Sequence, residues 1–269
     1  MNDSAIGIFD SGMGGLTVMR ALAERLPGER FLYLGDTARL PYGSKSADTV
    51  KRYALQAAQA LVARQVKLLV VACNTASVSL PALQEALGPL PAIGVIEPGA
   101  RAALAVSPGG PIAVIATEGT VKGGAYVRAI EAHGQAPVVQ QACPLFVAMA
   151  EEGLVDGPIV EAVAHRYLDP LMATLPRPRA LVLGCTHFPV LRSVIGRVAG
   201  EDVALVDSAA TTAQAVARLL AERGLARGAG PHEPHRFLAT DAPDRFARVG
   251  EIFLGRAIDP GSVEPIDLQ

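Results

Sequence analysis

Two of the three cysteines in the chain stand in closely similar sequence contexts. Cys73 and Cys185 each follow a short, uncharged apolar run, and they precede Asn74-Thr75 and Thr186-His187, respectively. A cysteine between a strand and the next helix lies near the helix N-terminus, where the helix dipole favours the thiolate. Both thiols are therefore candidates for acid–base, nucleophilic or metal-binding chemistry.

Other uses of these thiols fit the sequence less well. Zinc could be held by Cys73, Cys185, His187 and Asp10, but no pair has the Cys-x₂-Cys or His-x₃-His spacing typical of a zinc site. A hydrolase with one nucleophilic cysteine and a histidine would leave the second cysteine without a role. Pyridoxal phosphate requires a Schiff-base lysine, and no lysine here has a convincing phosphate-binding motif nearby. We interpret the third cysteine, Cys143, as structural.

Short apolar runs alternate with helical patterns along the whole chain. Most of the runs carry no charge and show no polar alternation, which is typical of parallel strands covered on both faces. This alternation predicts an α/β fold with right-handed crossovers. The predicted strands are Ala5–Phe9, Phe31–Leu34, Leu68–Ala72, Ala92–Ile96, Ile112–Ala116, Val138–Ala142, Ala180–Gly184 and Val203–Val206.

Polar residues follow five of the predicted strands. Because ligands of open α/β sheets bind beyond the carboxyl ends of the strands, these residues predict a binding site. No arginine occurs in these motifs, so we expect neutral donors to bind the ligand. Besides the two cysteine motifs, the site residues are Asp10 and Ser11 after the first strand, Pro41, Tyr42 and Gly43 after the second, and Thr117 and Thr120 after the fifth.

The glycine-rich stretch at residues 12–15 directly follows the first strand. It lacks the Gly-Lys-Ser/Thr ending of a P-loop and the spacing of a dinucleotide-binding fingerprint. We interpret it as a tight turn that presents backbone N–H groups and a helix N-terminus to a carboxylate. A plain strand-to-helix turn is the alternative.

The composition argues against several classes of protein. Half of the residues are hydrophobic and 19% are charged, so a sizeable core is expected and disorder is not. The net charge of −2 and the absence of tryptophan argue against a nucleic-acid-binding surface. The sequence shows neither a signal peptide nor an apolar run that could span a bilayer. We therefore expect a cytoplasmic protein with reduced thiols and no membrane partner.

The two cysteine motifs also echo each other along the chain. Residues 70–75 resemble residues 181–186, since both contain an apolar strand, a small residue, the cysteine and then a hydroxyl or amide residue. The echo predicts two similar α/β halves that face each other. The chain would cross between them at Glu97-Pro98-Gly99 and return at Asp207-Ser208.

The motifs together resemble those of the glutamate racemases, over essentially the whole chain. Aspartate racemases are similar in outline, but they usually have Glu where His187 stands. Residues 148–150 lack the proline that is more frequent there, and we expect only a local packing effect. The resemblance is carried by Ile8–Gly15, Tyr33–Asp36, Pro41–Gly43, Ala72–Ser77, Glu151–Gly153 and Gly184–Pro189.

The resemblance implies two pseudo-symmetric, open, mainly parallel α/β domains with the active site in the cleft between them. The first domain would comprise residues 1–97 plus 208–269, and the second residues 98–207. The implied activity is a two-base interconversion of L- and D-glutamate, without a metal or other cofactor, that supplies D-glutamate for peptidoglycan. The resemblance implies no nucleic-acid partner and leaves room for a homodimer. The alternatives are an aspartate or related amino-acid racemase, or a non-catalytic amino-acid-binding protein.

The resemblance also implies roles for individual residues. Cys73 would deprotonate D-glutamate, supported by Asp10, and Cys185 would deprotonate L-glutamate, supported by Glu152 and His187. A small depression of the thiol pKa below its usual value of about 8.5 would suffice near neutral pH. The implied substrate-binding residues are Asp10, Ser11, Pro41, Tyr42, Gly43, Asn74, Thr75, Thr117, Thr120, Thr186 and His187.

Overall fold

Two parallel β-sheets organise the protein, whose computed structural model describes residues 3–174, 176–228 and 235–268. Every strand pair in this part of the chain is parallel. The strands are β1 (Ile6–Asp10), β2 (Phe31–Gly35), β3 (Leu68–Val71), β4 (Ala92–Gly94), β5 (Ile112–Ala116), β6 (Val138–Ala142), β7 (Ala180–Gly184), β8 (Ala204–Asp207), β9 (Arg236–Ala239) and β10 (Val263–Pro265).

Helices connect consecutive strands, as parallel pairing requires. They are α1 (Leu16–Arg25), α2 (Ala47–Val62), α3 (Asn74–Ser77), α4 (Leu80–Leu87), α5 (Ile96–Val106), α6 (Glu118–Lys122), α7 (Ala125–His133), α8 (Pro144–Glu151), α9 (Pro158–Met172), α10 (Arg192–Ala199), α11 (Ser208–Glu222) and α12 (Pro243–Leu254). Short 3₁₀ turns lie at Thr37–Arg39, Tyr42–Ser44, Phe188–Leu191 and Pro260–Ser262. Within the described residues, no helix is both long and apolar enough to cross a membrane.

Four neighbouring strands of the larger sheet match the four strands of the smaller one in their order. The larger has the order β10-β9-β2-β1-β3-β4, and the smaller has the order β6-β5-β7-β8. The arrangement β2-β1-β3-β4 therefore corresponds to β6-β5-β7-β8, so that β3 and β7 are equivalent strands. The α/β fold with two parallel sheets is confirmed, and the two cysteines follow these equivalent strands.

The sheets are covered on both faces, because every residue of their central strands is buried. Successive side chains of a strand point to opposite faces. In β1, Ile6 and Ile8 accordingly pack with α1, α11 and α12, whereas Phe9 packs with α2 on the other face. Both faces of the smaller sheet are likewise packed with apolar side chains. This burial fixes the sheets and leaves the polar strand ends to form a site.

The structure corrects the predicted strands in two places. The strand predicted over Ala92–Ile96 ends at Gly94, and α5 begins at Ile96. Glu97 and Pro98 fall in the first turn of that helix, where an acidic side chain and a missing N–H are both tolerated. Strands β9 and β10 were not predicted individually, because they are short and contain exposed charged residues. Both strands extend the larger sheet, and all of its strands lie within residues 1–97 and 208–269.

Candidate active site

A cavity of about 300 Å³ lies at the carboxyl ends of strands from both sheets. It contains both cysteine motifs and most of the other predicted site residues. Three predicted residues do not line it: Asp10 and Thr120, which are fully buried, and Glu152, which is exposed. The lining residues are Ser11, Leu40, Pro41, Tyr42, Gly43, Ser44, Cys73, Asn74, Thr75, Thr117, Glu118, Pro144, Val147, Ala148, Glu151, Cys185, Thr186 and His187.

Cys73 lies just beyond β3 and caps the single-turn helix α3. Its Sγ accepts the backbone N–H of Ala76 and donates to Oγ of Ser11, both at 3.4 Å. Burial, reinforced by the negative charge of Asp10, raises the pKa of the Cys73 thiol to about 12, although these two hydrogen bonds act in the opposite direction. The expected depression of the thiol pKa is therefore wrong for Cys73, because burial outweighs the contribution of one helical turn.

Asp10 is the last residue of β1, and its side chain is fully buried. The backbone N–H of Gly12 donates to its Oδ2 at 2.9 Å, whereas Oδ1 has no hydrogen-bond partner among the described residues. Burial raises the pKa of Asp10, opposed by the positive charge of His187 and by backbone N–H groups of the glycine-rich turn. Its charge raises the pKa of both Cys73 and His187, so Asp10 acts on both sides of the site.

A chain of polar contacts runs outward from Cys185. Its Sγ lies 3.7 Å from Nδ1 of His187, and Nε2 of the same ring lies 3.2 Å from Oε1 of Glu151. The other oxygen of Glu151 accepts from the guanidinium of Arg245 at 2.9 Å. Burial lowers the pKa of His187, but the contacts with Cys185 and Glu151 outweigh it and raise the pKa to about 10. When protonated, the imidazole can donate from both ring nitrogens, one to the Cys185 sulfur and one to Glu151.

The carboxylate that meets His187 is Glu151, and not Glu152 as the resemblance implied. Glu151 is the last residue of α8 and is partly buried, whereas Glu152 is exposed and does not line the cavity. Successive helical residues are rotated by about 100°, so adjacent glutamates at a helix end cannot face the same partner. The helix phase needed to choose between them comes from the burial of Phe146 and Ala150 on the inner face of α8.

Hydrogen bonds between residues of the two halves close the site. Oγ1 of Thr75 lies 2.8 Å from Oγ1 of Thr117 and 3.2 Å from that of Thr120. Nδ2 of Asn74 donates to the hydroxyl of Tyr126 at 2.8 Å, and Oδ1 of Asn74 is buried with no partner among the described residues. The predicted threonines and Asn74 thus lie together. Thr120 does not line the cavity but contacts Thr75 and Thr117, which do.

The loop at residues 40–44 forms another wall. The Tyr42 hydroxyl donates to the carboxylate of Asp36, which also accepts from Nε of Arg39 at 2.7 Å and from Oγ1 of Thr240 at 2.9 Å. A Cβ on Gly43 would lie 2.8 Å from Cβ of Thr117, so glycine allows this close approach of the two loops. The predicted residues Pro41, Tyr42 and Gly43 are therefore all part of the site.

Several functional contacts were missed from the sequence. Tyr126, Glu151 and Arg245 lie far along the chain from the residues they meet. Pro144, Val147 and Ala148 add an apolar wall to the cavity. That wall follows from the position of α8 beside the predicted loops, which is seen only in the fold. Within the described residues, no three His, Cys, Asp or Glu side chains are grouped as a metal site would require.

Two matched parallel sheets, each with a thiol at the same strand end and both thiols in one cavity, define the class of two-cysteine racemases. The family model for Asp/Glu/hydantoin racemases matches residues 6–216. The chain therefore belongs to this family.

Individual relatives are similar over nearly their whole length. The glutamate racemase of Geobacter metallireducens is 49% identical over 98% of this chain and 97% of its own. The structure of the Francisella tularensis glutamate racemase in complex with D-glutamate has a TM-score of 0.91 at 36% identity, covering 100% of this chain and 99% of its own. That of the Escherichia coli glutamate racemase, in complex with L-glutamate and an activator, has a TM-score of 0.79 at 29% identity and covers 99% of both chains.

Proposed function

We propose that this protein is a glutamate racemase, an isomerase that interconverts L- and D-glutamate and supplies D-glutamate for peptidoglycan. The observation that carries the proposal is the pair of thiols at equivalent strand ends of the two sheets, lining one cavity. Similarity to glutamate racemases over the full chain identifies glutamate as the substrate.

In the reaction, one cysteine removes the α-hydrogen and the other delivers a different proton to the opposite face of Cα. With L-glutamate, the Cys185 thiolate takes the α-proton, and the electron pair of the broken C–H bond stays on the substrate as a carbanion. The Cys73 thiol then donates its proton to the opposite face of Cα, giving D-glutamate, a Cys73 thiolate and a Cys185 thiol. D-glutamate reacts by the reverse sequence. Each turnover therefore exchanges the protonation states of the two cysteines, and no external proton is consumed.

The residues next to the two thiols adjust how readily each thiol gains or loses its proton. His187, paired with Glu151, stabilises negative charge on Cys185. Asp10 raises the pKa of Cys73 and so makes its thiolate a stronger base towards D-glutamate. The pre-arranged polar groups of the cavity stabilise the carbanion as charge develops. The substrate's charged groups are bound by Ser11, Asn74, Thr75, Thr117 and Thr186 and by backbone N–H groups of the Tyr42–Gly43 loop.

The remaining features of the proposal concern the protein as a whole. The two domains comprise residues 1–97 plus 208–269 and residues 98–207, so that each carries one sheet and one catalytic thiol. The protein acts in the cytoplasm, where its thiols stay reduced. A homodimer is the assembly to test, by light scattering in solution.

A panel of amino acids, assayed by circular dichroism without added cofactor, tests the activity. We expect racemisation of glutamate that is unchanged by prolonged treatment with EDTA. Cys73→Ala and Cys185→Ala should each abolish it, whereas Cys143→Ala should keep most of it. Preferential turnover of aspartate would support the runner-up activity, and binding without turnover by the pure protein would support an amino-acid-binding protein. Full activity in Cys73→Ala or Cys185→Ala would exclude the two-base scheme.

A further inference from the structure

The carboxylate of Glu151 is held at both of its oxygens by residues from different parts of the fold. Oε1 faces Nε2 of His187, which follows β7, whereas Oε2 accepts from Arg245, which lies on α12. Arg245 is 94 residues from Glu151 along the chain. Helix α12 packs on the larger sheet, so this contact joins the two halves next to the Cys185 thiol.

The geometry points to Arg245 as a positioning residue for the Cys185 half-reaction: it fixes the orientation of Glu151 and, through it, that of His187. This inference rests on the proposed racemase function. Arg245 reaches neither the thiol nor the cavity wall, so it acts only through the groups in between.

A second contact from the same helix supports this role. The ring of Phe253 meets the His187 ring edge-on, with centroids 4.9 Å apart. Residues 245 and 253 are separated by eight positions, close to two helical turns, so both side chains lie on one face of α12. One helix face thus touches the imidazole directly and also holds its carboxylate partner.

Because Glu151 and His187 are largely buried, the orientation of the Glu151 carboxylate decides whether the imidazole has an acceptor inside the protein. The side chains of His187 and Glu151 are 9% and 13% exposed, whereas that of Arg245 is 40% exposed. Without Arg245, the Glu151 carboxylate at the end of α8 could turn towards water, and the imidazole would lose its acceptor inside the protein. Arg245 is accessible enough to be replaced without opening the core.

Arg245 can affect the pKa of His187 in two ways, which have opposite signs and can therefore be distinguished. As a nearby positive charge, Arg245 disfavours a proton on His187, so its removal alone would raise the pKa of that histidine. As the group that orients Glu151, it favours the proton, so its removal would lower the pKa. The other groups that act on His187, Cys185 and Asp10, stay in place in either case.

Titration of His187 by ¹⁵N-histidine NMR, in the absence of substrate, separates these possibilities. The resonances are assigned with a His187→Asn variant. In Arg245→Gln we expect the pKa of His187 to fall by about one unit from that of the unsubstituted protein. Arg248→Gln is the matched control, because Arg248 is an exposed arginine of the same helix that does not line the cavity, and its titration curve should coincide with that of the unsubstituted protein.

Kinetics provide the second measurement. Because the equilibrium fixes the ratio of kcat/KM in the two directions, Arg245→Gln should lower both by about tenfold. The primary isotope effect should rise with α-deuterated L-glutamate, whose hydrogen goes to Cys185, but not with α-deuterated D-glutamate. An unchanged or raised pKa of His187, or equal effects of Arg245→Gln and Arg248→Gln, would overturn the inference. Since the NMR titration needs no turnover, it tests Arg245 even if the protein does not racemise glutamate.

Discussion

Cys73 and Cys185 occupy equivalent positions in the two sheets, but their neighbours differ. Burial and the carboxylate of Asp10 raise the pKa of the Cys73 thiol to about 12. Cys185 instead has a histidine 3.7 Å away, whose pKa is raised to about 10 by contacts that outweigh its burial. At neutral pH, Cys73 is therefore a thiol, and the protonated ring of His187 presents a donor N–H to the sulfur of Cys185. This difference fits the proposed scheme, in which Cys185 takes the α-proton of L-glutamate.

The choice of carboxylate beside His187 gives a prediction at the scale of single residues. Glu151→Gln keeps a hydrogen-bond acceptor but removes the charge that helps to protonate His187. We expect kcat/KM to fall by at least about tenfold in both directions, with the pH optimum moving down as the pKa of His187 falls. The measurement is the rate of racemisation by polarimetry over a range of about pH 6–10.

The adjacent glutamate provides the control for this prediction. Glu152→Gln makes the same chemical change one residue further along, at an exposed position. Its kinetic constants should stay within about twofold of those of the unsubstituted protein, since surface substitutions away from the site have small effects. Similar losses in the two variants would remove the role assigned to Glu151.

These neighbouring residues also show how far the site could be predicted. The cysteines, Ser11 and His187 belong to short motifs at strand ends. Their positions in the sequence were therefore enough to predict that they lie at one edge of the fold. The choice between Glu151 and Glu152 needed the phase of α8, which neither residue type reveals. Arg245 could be identified only from the packing of α12 against the opposite half, because such long-range contacts leave no local pattern in the sequence.

Among the secondary-structure elements, the turn between β1 and α1 leaves little room for side chains. A Cβ on Gly14 would lie 2.3 Å from Nδ1 of His187 and 2.9 Å from Oγ1 of Thr186. Oγ1 of Thr17, in the first turn of α1, donates to the backbone oxygen of Thr186 at 2.9 Å. The glycine-rich turn therefore serves as the surface on which the Cys185 motif rests, in addition to any role in binding a carboxylate.

Substitution of this glycine gives a prediction at the scale of the element. Gly14→Ala should push the His187 ring away from Cys185, because the added methyl would overlap the ring nitrogen. We expect a loss of stability of about 1–3 kcal/mol, as for other overpacked sites, and a loss of most of the racemase activity. Thermal unfolding and the rate of racemisation, measured on the same samples, check both parts.

Gly28→Ala is the matched control for the turn, because a Cβ at Gly28 would meet nothing within 4 Å. It should change neither stability nor activity appreciably. If Gly14→Ala retained the activity of Gly28→Ala, the turn would not support His187 as described.

The strands that could be predicted are those whose uncharged runs have clear ends in the sequence. Strands β5, β6 and β7 were predicted with the bounds observed, since their uncharged runs are long and sharply ended. Strand β10 has three residues, of which Glu264 and Pro265 are exposed at the edge of the sheet. Such an edge strand depends on pairing with β9 rather than on its own apolar pattern. The predicted strand at Ala92–Ile96 was too long because an apolar run continued into the helix that follows it.

The molecule as a whole brings two equivalent strand ends, one from each sheet, to one cavity. Contacts between the halves, including those of Thr75 with Thr117 and of Asn74 with Tyr126, lie beside the thiols. Cys73 from one half and Cys185 from the other both line this cavity. The sequence echo predicted this relation between the halves, whereas the contacts that hold them together follow only from the fold.

This two-sided arrangement predicts where solvent hydrogen enters the product. Each thiol carries a single proton. If Cys73 takes the α-hydrogen of D-glutamate, Cys185 delivers a different hydrogen, one already exchanged with solvent, to the opposite face. Early turnover in D₂O should therefore place deuterium in the product and almost none in the recovered substrate. Return of the carbanion to substrate restores the original hydrogen, because the thiol that holds it is buried.

Mass spectrometry at low conversion, started from each enantiomer in turn, measures this distribution. One base serving both faces would carry some of the original hydrogen into the product, and a lysine base, with three equivalent hydrogens, would bring deuterium into the substrate as well. With a separate thiol for each face of Cα, we expect neither of these two isotope distributions, whichever enantiomer is the starting material. Product that retained its original α-hydrogen would mean that Cys73 and Cys185 do not act as a pair, even though they lie at equivalent strand ends.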